Sequence, residues 1–279
     1  MAIDYEPIKP EIGARIRAGK DEVLDPAFVR ELDALLAERI VLVFPELHLT
    51  DEEQLAFTDL LGERVDFVKE VPGADATAPG IYKITLDPTL NDNPDYVYGT
   101  YFWHMDGVME QIPPPRATLL SARAVAAKGG QTEFANLFAA WENLPEEEKR
   151  DLEGLRAVHS VFAAIRPTLP FDVTPATWQG IKKRREHPLV WTHADGRRSL
   201  LVGTHAEEVV GMGLPEGRAL LTRLLEWAAQ PAFTYRHHWK VGDFVVWLNP
   251  GALHRVIPYD RHSGRVMHRT SIAGTEPIQ

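Results

Sequence analysis

Tyr101-Phe-Trp-His-Met-Asp-Gly107 and Gly242-Asp-Phe-Val-Val-Trp-Leu-Asn-Pro-Gly-Ala-Leu-His254 carry the residues that decide the fold and the chemistry of this chain. On an extended strand, residues i and i+2 point to the same side. His104 and Asp106 can therefore bind one metal ion together, and His254 supplies a second imidazole. Two imidazoles and one carboxylate form the three-ligand face of a non-haem Fe(II) site and leave three positions for substrates. A lone His-x-Asp occurs by chance, and the chain has 11 histidines, so three ordinary polar residues are the competing reading. Zinc, which also accepts His and Asp with an open position, is the rival metal.

Outward from these stretches, the pattern is of short strands between turns. Ile40-Val-Leu-Val-Phe44 reads as a buried strand. Ala117 to Ala126, Leu189 to Val202, Phe233 to Trp239, Gly242 to Trp247, Leu253 to Pro258 and Arg265 to Ala273 are further strand candidates. Helices are few and carry clear start signals. Asp25-Pro26 sets an N-cap and a first-position proline before Phe28, Leu32, Leu35 and Leu36. Thr50-Asp-Glu-Glu53 is a capping box, and that helix stops at Gly62. Pro145 opens another with three glutamates in its first turn. Pro215 to Gln230 is amphipathic. Many short strands with helices at the surface predict a mainly β chain built as a barrel or double-sheet jelly roll.

Composition narrows the function classes. A hydrophobic share of 44% supports a sizeable core. Net charge of −10 argues against a nucleic-acid surface. The absence of cysteine excludes disulfides, thiol catalysis and Cys-based metal sites. It fits a cytoplasmic enzyme. The first residues lack the basic stretch and apolar run of a signal peptide, and no apolar run reaches membrane-spanning length. The expected partner is a small molecule, with no nucleic acid and no membrane; a homo-oligomer stays open.

Further motifs join the three ligands: Gly129-Gly-Gln-Thr132 in the middle of the chain, and Arg265 and Arg269 downstream of His254. With them the chain resembles the Fe(II)/2-oxoglutarate-dependent dioxygenases of the taurine dioxygenase and 2,4-dichlorophenoxyacetate dioxygenase (TauD/TfdA) family. Asp25 to Gly62, Gly129 to His159 and Tyr235 to Gly274 all read like the phenoxyacetate branch. The resemblance implies one domain over 1–279, a cupin-like double-stranded β-helix with helices outside and the metal at one open end. It implies Fe(II), 2-oxoglutarate and O2 as cofactors, and release of succinate and CO2. It implies that Arg269 with the Thr132 hydroxyl holds the distal carboxylate of 2-oxoglutarate, while Arg265 lies near the carboxylate that chelates iron. Arginine suits this task because its planar fork makes paired charge-assisted hydrogen bonds. Surface arginines in salt bridges are the alternative. One departure stands out: relatives often read Trp-Asp-Asn before the distal histidine, where this chain has Trp247-Leu248-Asn249. Loss of a group that orients a ligand alters ligand direction or metal affinity.

The substrate side is thinner. Lys69 falls at a basic position that meets the substrate acid in the phenoxyacetate branch, although an exposed loop lysine is the plainer reading. Tyr98, Thr100, Tyr101 and Trp103 precede the ligands and either wall the site or belong to a buried strand. Phe162 to Glu186 is interrupted by prolines and long enough for a lid or insertion; Phe171, Trp178 and the basic run Lys182 to Arg185 fall within it. The expected reaction is hydroxylation of a small, acidic substrate, cleaving it where the new hydroxyl sits beside oxygen or nitrogen. Desaturation, cyclisation or isonitrile formation in natural-product assembly is the alternative within the family. A zinc hydrolase and a non-catalytic 2-oxoglutarate-binding protein are the alternatives outside it.

Overall fold

Asp25 and Pro26 start a helix where the sequence places one. The Asp25 carboxylate accepts from the Ala27 amide at 2.7 Å, and α2 (Pro26–Arg39) buries Phe28, Val29, Leu32, Leu35 and Leu36. It follows a single helical turn, α1 (Lys20–Val23). The Thr50 hydroxyl and the Glu53 carboxylate form the reciprocal capping box of α3 (Asp51–Leu61), with Gly62 as its C-cap. The computed structural model describes residues 3–65, 80–91, 94–109, 113–168 and 183–279. Lys69, Phe171, Trp178 and Lys182 lie outside the described residues, as does most of the expected lid.

Among the described residues the main sheet has seven strands. In sequence they are β1 (Tyr5–Pro7), β2 (Ala14–Ile16), β3 (Val41–Phe44), β4 (Tyr82–Ile84), β5 (Ala117–Ala124), β13 (Phe244–Leu248) and β15 (Val266–Ile272). Their spatial order is β1-β2-β3-β13-β5-β15-β4, with β2 and β3 parallel and the other pairs antiparallel. A second, three-stranded antiparallel sheet runs β12 (Thr234–His237), β6 (Thr132–Asn136), β14 (Ala252–Val256). β7 (Arg156–Ser160), β8 (Arg184–Pro188) and β11 (Ala206–Val209) form another, and β9 (Val190–Thr192) pairs with β10 (Arg198–Leu200). The chain is thus mostly β-sheet with flanking helices.

The first two sheets pack on each other through their inward faces. Phe134 of β6 lies 5.3 Å from Trp247 of β13, ring to ring, and Trp247 lies 4.8 Å from His254 of β14. On the outer side of the main sheet, Phe57 of α3 makes an edge contact at 5.2 Å with Phe244, and both meet Phe44. A second apolar cluster gathers α4 (Leu137–Glu142), α7 (Leu214–Ala228), Leu200, Trp191 and Leu253. α7 buries Leu221, Leu224 and Ala228, the inner face of the expected amphipathic helix. α5 (Glu146–Leu152) and α6 (Val161–Ile165) are the remaining α-helices among the described residues.

Candidate metal centre

His104 and Asp106 are not on a strand. A 3-10 turn occupies Pro94–Tyr101, and His104 touches the sheet through one isolated bridge to His254. That bridge has both of its hydrogen bonds: the His104 amide donates to the His254 carbonyl at 3.0 Å, and the His254 amide returns at 2.9 Å. The local alternation still holds, since Met105 packs into the second apolar cluster. The bridge brings two segments far apart in sequence into register, and their imidazoles lie 4.1 Å apart, centre to centre. One ligand atom from each of His104, Asp106 and His254 lies within 4.8 Å of the others.

The donor set fits a divalent ion. The Nδ1 of His104 is 2.8 Å from the Phe102 carbonyl. A carbonyl only accepts, so Nδ1 carries the proton and Nε2 keeps its lone pair for a metal. Burial lowers the pKa of His104 below its usual value, and burial followed by His104 lowers that of His254 further still. Both imidazoles are therefore neutral, as ligation requires. Burial alone would raise the Asp106 pKa. Arg269, the two imidazoles and the Thr118 hydroxyl outweigh it and hold the group at about 2. Its two oxygens are unequal. Oδ2 receives Arg269 at 3.1 Å and Thr118 at 2.8 Å, which leaves Oδ1 as the oxygen for a metal.

A cavity of about 130 Å³ adjoins the triad. One water needs about 10–15 Å³ on this scale, so there is room for roughly ten small groups. Ile84, Met109, Leu120, Val161, Ala164 and Ile165 give it apolar walls, and Thr132, Arg265 and Arg269 are its polar end groups. The two arginines differ sharply. Arg269 is on β15 and touches Asp106. Arg265 precedes β15, whose register slips between Val266 and Met267, so the simple one-face spacing does not apply. Arg265 is only 3% exposed, and no carboxylate among the described residues is within ion-pair distance. Its guanidinium lies 4.9 Å from the centre of the Tyr259 ring. Its stem runs past Gly130, whose position would bring a Cβ to 3.1 Å. Burial lowers the pKa of Arg265, and the tyrosines Tyr259 and Tyr101 counter it; no triad residue is among its perturbers. Thr132 Oγ1 accepts from Trp239 Nε1 at 2.9 Å, which leaves the hydroxyl proton to be donated elsewhere.

Of the candidate substrate residues, Thr100 lines the cavity. Tyr98 and Tyr101 instead stack edge-on at 5.6 Å, and Tyr101 meets Tyr259 at 6.0 Å, so they build the aromatic surround of Arg265. Trp103 is buried in the second apolar cluster beneath the Arg255 guanidinium, 4.6 Å from its ring centre. Arg255 itself pairs with Glu133 at 2.7 Å. Leu248 is in the main core, on the face of β13 away from the cavity.

Two residues escaped the sequence reading. Asn249, fully buried, accepts from the Asp106 amide at 3.0 Å and donates to the Asp106 and Pro115 carbonyls at 2.9 and 3.0 Å. His205, also fully buried, accepts from the Met105 amide at 3.3 Å. An Asn between an apolar strand and Pro-Gly was the available signal, because a buried amide must find partners for all its polar atoms.

A family model described as "Taurine catabolism dioxygenase TauD, TfdA family" matches residues 4–271. The chain is 34% identical over 297 aligned residues to an alpha-ketoglutarate-dependent 2,4-dichlorophenoxyacetate dioxygenase of Burkholderia sp. (strain RASC), covering 98% of this chain and 95% of that one. It is 32% identical to an (S)-phenoxypropionate/alpha-ketoglutarate-dioxygenase of Sphingobium herbicidovorans, covering 98% and 96%. Among solved structures, AAD-2 in complex with Mn(II) and N-oxalylglycine superposes with a TM-score of 0.82 at 32% identity, over 100% of both chains.

Proposed function

The chain belongs to the TauD/TfdA family of 2-oxoglutarate-dependent dioxygenases, and from that premise we propose that it uses Fe(II) and O2 to hydroxylate a small organic acid with an apolar body. The observation that carries the proposal is a buried arginine with no acid partner among the described residues, in the same cavity as a His-Asp-His triad. When bound, iron and 2-oxoglutarate supply the oxidising chemistry, with succinate and CO2 as the co-products. The protein's part is to bind, orient and keep water out. His104, Asp106 and His254 hold the metal. Apolar side chains of β4, β5 and α6 shield the space where a carbon would be attacked.

We propose the reverse of the roles first expected of the two arginines. A 2-oxo acid chelates a metal through its 1-carboxylate and ketone, so its other carboxylate lies at the far end. The contact of Arg269 with Asp106 Oδ2 supports a role at the near end, holding that ligand and meeting an acidic substrate. Arg265 with Thr132 anchors the far carboxylate. The relatives' substrates, an aryloxyacetate and an aryloxypropionate, support an acid with an apolar body as the substrate class. Hydroxylation beside an ether oxygen would release the acid fragment. We also read the chain as one domain, because a single cavity takes His254 from one packed sheet and Arg269 from the other. The facing sheets support the double-stranded β-helix, or jelly roll. Among the described residues no helix is long and apolar enough to cross a membrane, and we place the enzyme in the cytoplasm.

The test is a panel of carboxylates and sulfonates scored for substrate-dependent succinate formation and O2 uptake. At least one acid with an apolar body should give both. Succinate formation independent of every substrate and of Fe(II), or turnover that persists without 2-oxoglutarate, would remove the reading.

A further inference from the structure

The backbone between the two near ligands has no sheet to satisfy it. Beyond the single bridge at His104, the amides of Met105 and Asp106 are buried with no neighbouring strand among the described residues. A buried amide left unpaired is costly. Here each is met by a side chain from a remote part of the chain. Asn249 stands in the 3-10 turn Asn249–Gly251 that joins β13 to β14, just before the third ligand. Its amide has one arrangement that works: the oxygen faces the Asp106 amide, and the nitrogen faces the carbonyls of Asp106 and Pro115. Flipping it would set the oxygen against two other acceptors.

The tautomers of the histidine pair follow by the same logic. Nε2 of His205 accepts from the Met105 amide, so its proton is on Nδ1. That Nδ1 is 2.8 Å from Nδ1 of His159, which must accept. His159 then carries its proton on Nε2, which has no partner among the described residues. Both rings are fully buried.

We propose that Asn249 and His205, the latter backed by His159, are positioning residues that clamp the backbone of the His104–Asp106 turn and thereby set metal affinity. Neither is one of the three metal ligands; Asn249 is fully buried, and His205, whose ring borders the cavity, is engaged by the Met105 amide and by His159. They fix the two peptide planes from which the ligands project, and Asn249 ties those planes to the turn that delivers His254. Partners that hold ligands in place typically contribute roughly 10- to 100-fold in metal affinity.

The clamp rests on the metal-centre reading, and the experiment separates the two. Co(II) is titrated into the metal-free full-length chain and followed by its absorption, beside melting curves of the same metal-free samples. Wild type should bind and His254→Ala should not; failure there removes the metal centre itself. His205→Leu removes the acceptor and should weaken Co(II) binding by roughly 10- to 100-fold. His205→Gln places an amide oxygen near the position of Nε2 and should restore most of that loss, at a melting temperature close to that of His205→Leu. A purely structural role would lower both melting temperatures and leave the two affinities alike, which would overturn the clamp. Asn249→Ser, an independent arm if His205→Leu does not fold, should weaken Co(II) binding to a similar degree. Wild-type affinity in Asn249→Ser would overturn the clamp equally.

Discussion

Replacing Arg265 by methionine should make the metal-free protein more stable and the enzyme worse. The side chain is 3% exposed and meets Tyr259 rather than a carboxylate among the described residues. A buried charge without a counter-charge costs several kcal/mol, and an apolar replacement of similar volume recovers part of that. Methionine fills the space of the arginine stem and brings no charge. The ligand-free chain should therefore melt at the same temperature or higher. Loss of the paired contact to a carboxylate should cost about 2–5 kcal/mol, or roughly 30-fold to several thousandfold in 2-oxoglutarate affinity. At about 100 times Kd a ligand adds about 2.7 kcal/mol of stability, or roughly 5–10 °C in a chain of this size. Thermal melts with and without 2-oxoglutarate, in the presence of Mn(II), read both effects at once. Wild type should show the full rise, and Arg265→Met little or none. Arg269→Met should behave differently, because removing the cation beside Asp106 disturbs the metal ligand. If Arg269→Met alone abolishes the 2-oxoglutarate shift while Arg265→Met keeps it, the arginine assignment proposed above is wrong.

His104→Ala and His254→Ala should each abolish turnover and metal binding, and unchanged Fe(II) titration curves in both would contradict the triad. Stability should fall in acid for a definite reason. Burial holds His159 at about 3, against 6.5 for an ordinary histidine. The unfolded chain therefore takes up a proton below about pH 6.5 that the folded chain refuses, and stability falls as pH drops from there towards 3. At pH 5 this amounts to about 2 kcal/mol for one such group; urea melts at pH 7.5 and 5 should differ less in His159→Gln than in wild type. Gly129→Ala should destabilise by about 1–3 kcal/mol, since φ is +76° and a Cβ would sit 2.1 Å from the Pro258 carbonyl oxygen. Chemical denaturation would check it, and an unchanged midpoint would show that the loop yields.

Local chemistry made much of the fold legible. The Asp25 and Thr50 caps depend on side chains within three residues of the amides they satisfy, and both helices start as read. Strand candidates such as Ile40–Phe44 and Gly242–Trp247 were visible because buried central strands are nearly continuous runs of large apolar residues, and the strands fall at Val41–Phe44 and Phe244–Leu248. What stayed hidden is non-local. Tyr98 and Tyr101 precede the ligands in sequence, yet the 3-10 turn carries them toward Tyr259 and Arg265. Sequence spacing placed both arginines near the site but could not order them along the cavity. The order proposed above rests on the slip at the start of β15 and on what surrounds each guanidinium, Tyr259 for one and Asp106 for the other.

The substitution that looked most damaging in the sequence falls where it does little to the metal site. Strand alternation turns Trp247 toward His254 and the cavity, and so turns Leu248 the other way, into the main core, 7% exposed. Leu248 is bound there by its backbone, its amide donating to the Ile40 carbonyl at 2.9 Å. Its side chain has no line to Asp106. The orienting contact expected of position 248 is made one residue later, where the strand ends and the 3-10 turn swings the Asn249 amide onto the Asp106 backbone. A leucine at 248 therefore removes no support from the ligands. It adds apolar contact to the sheet from which Asn249 projects, which helps hold that amide in place.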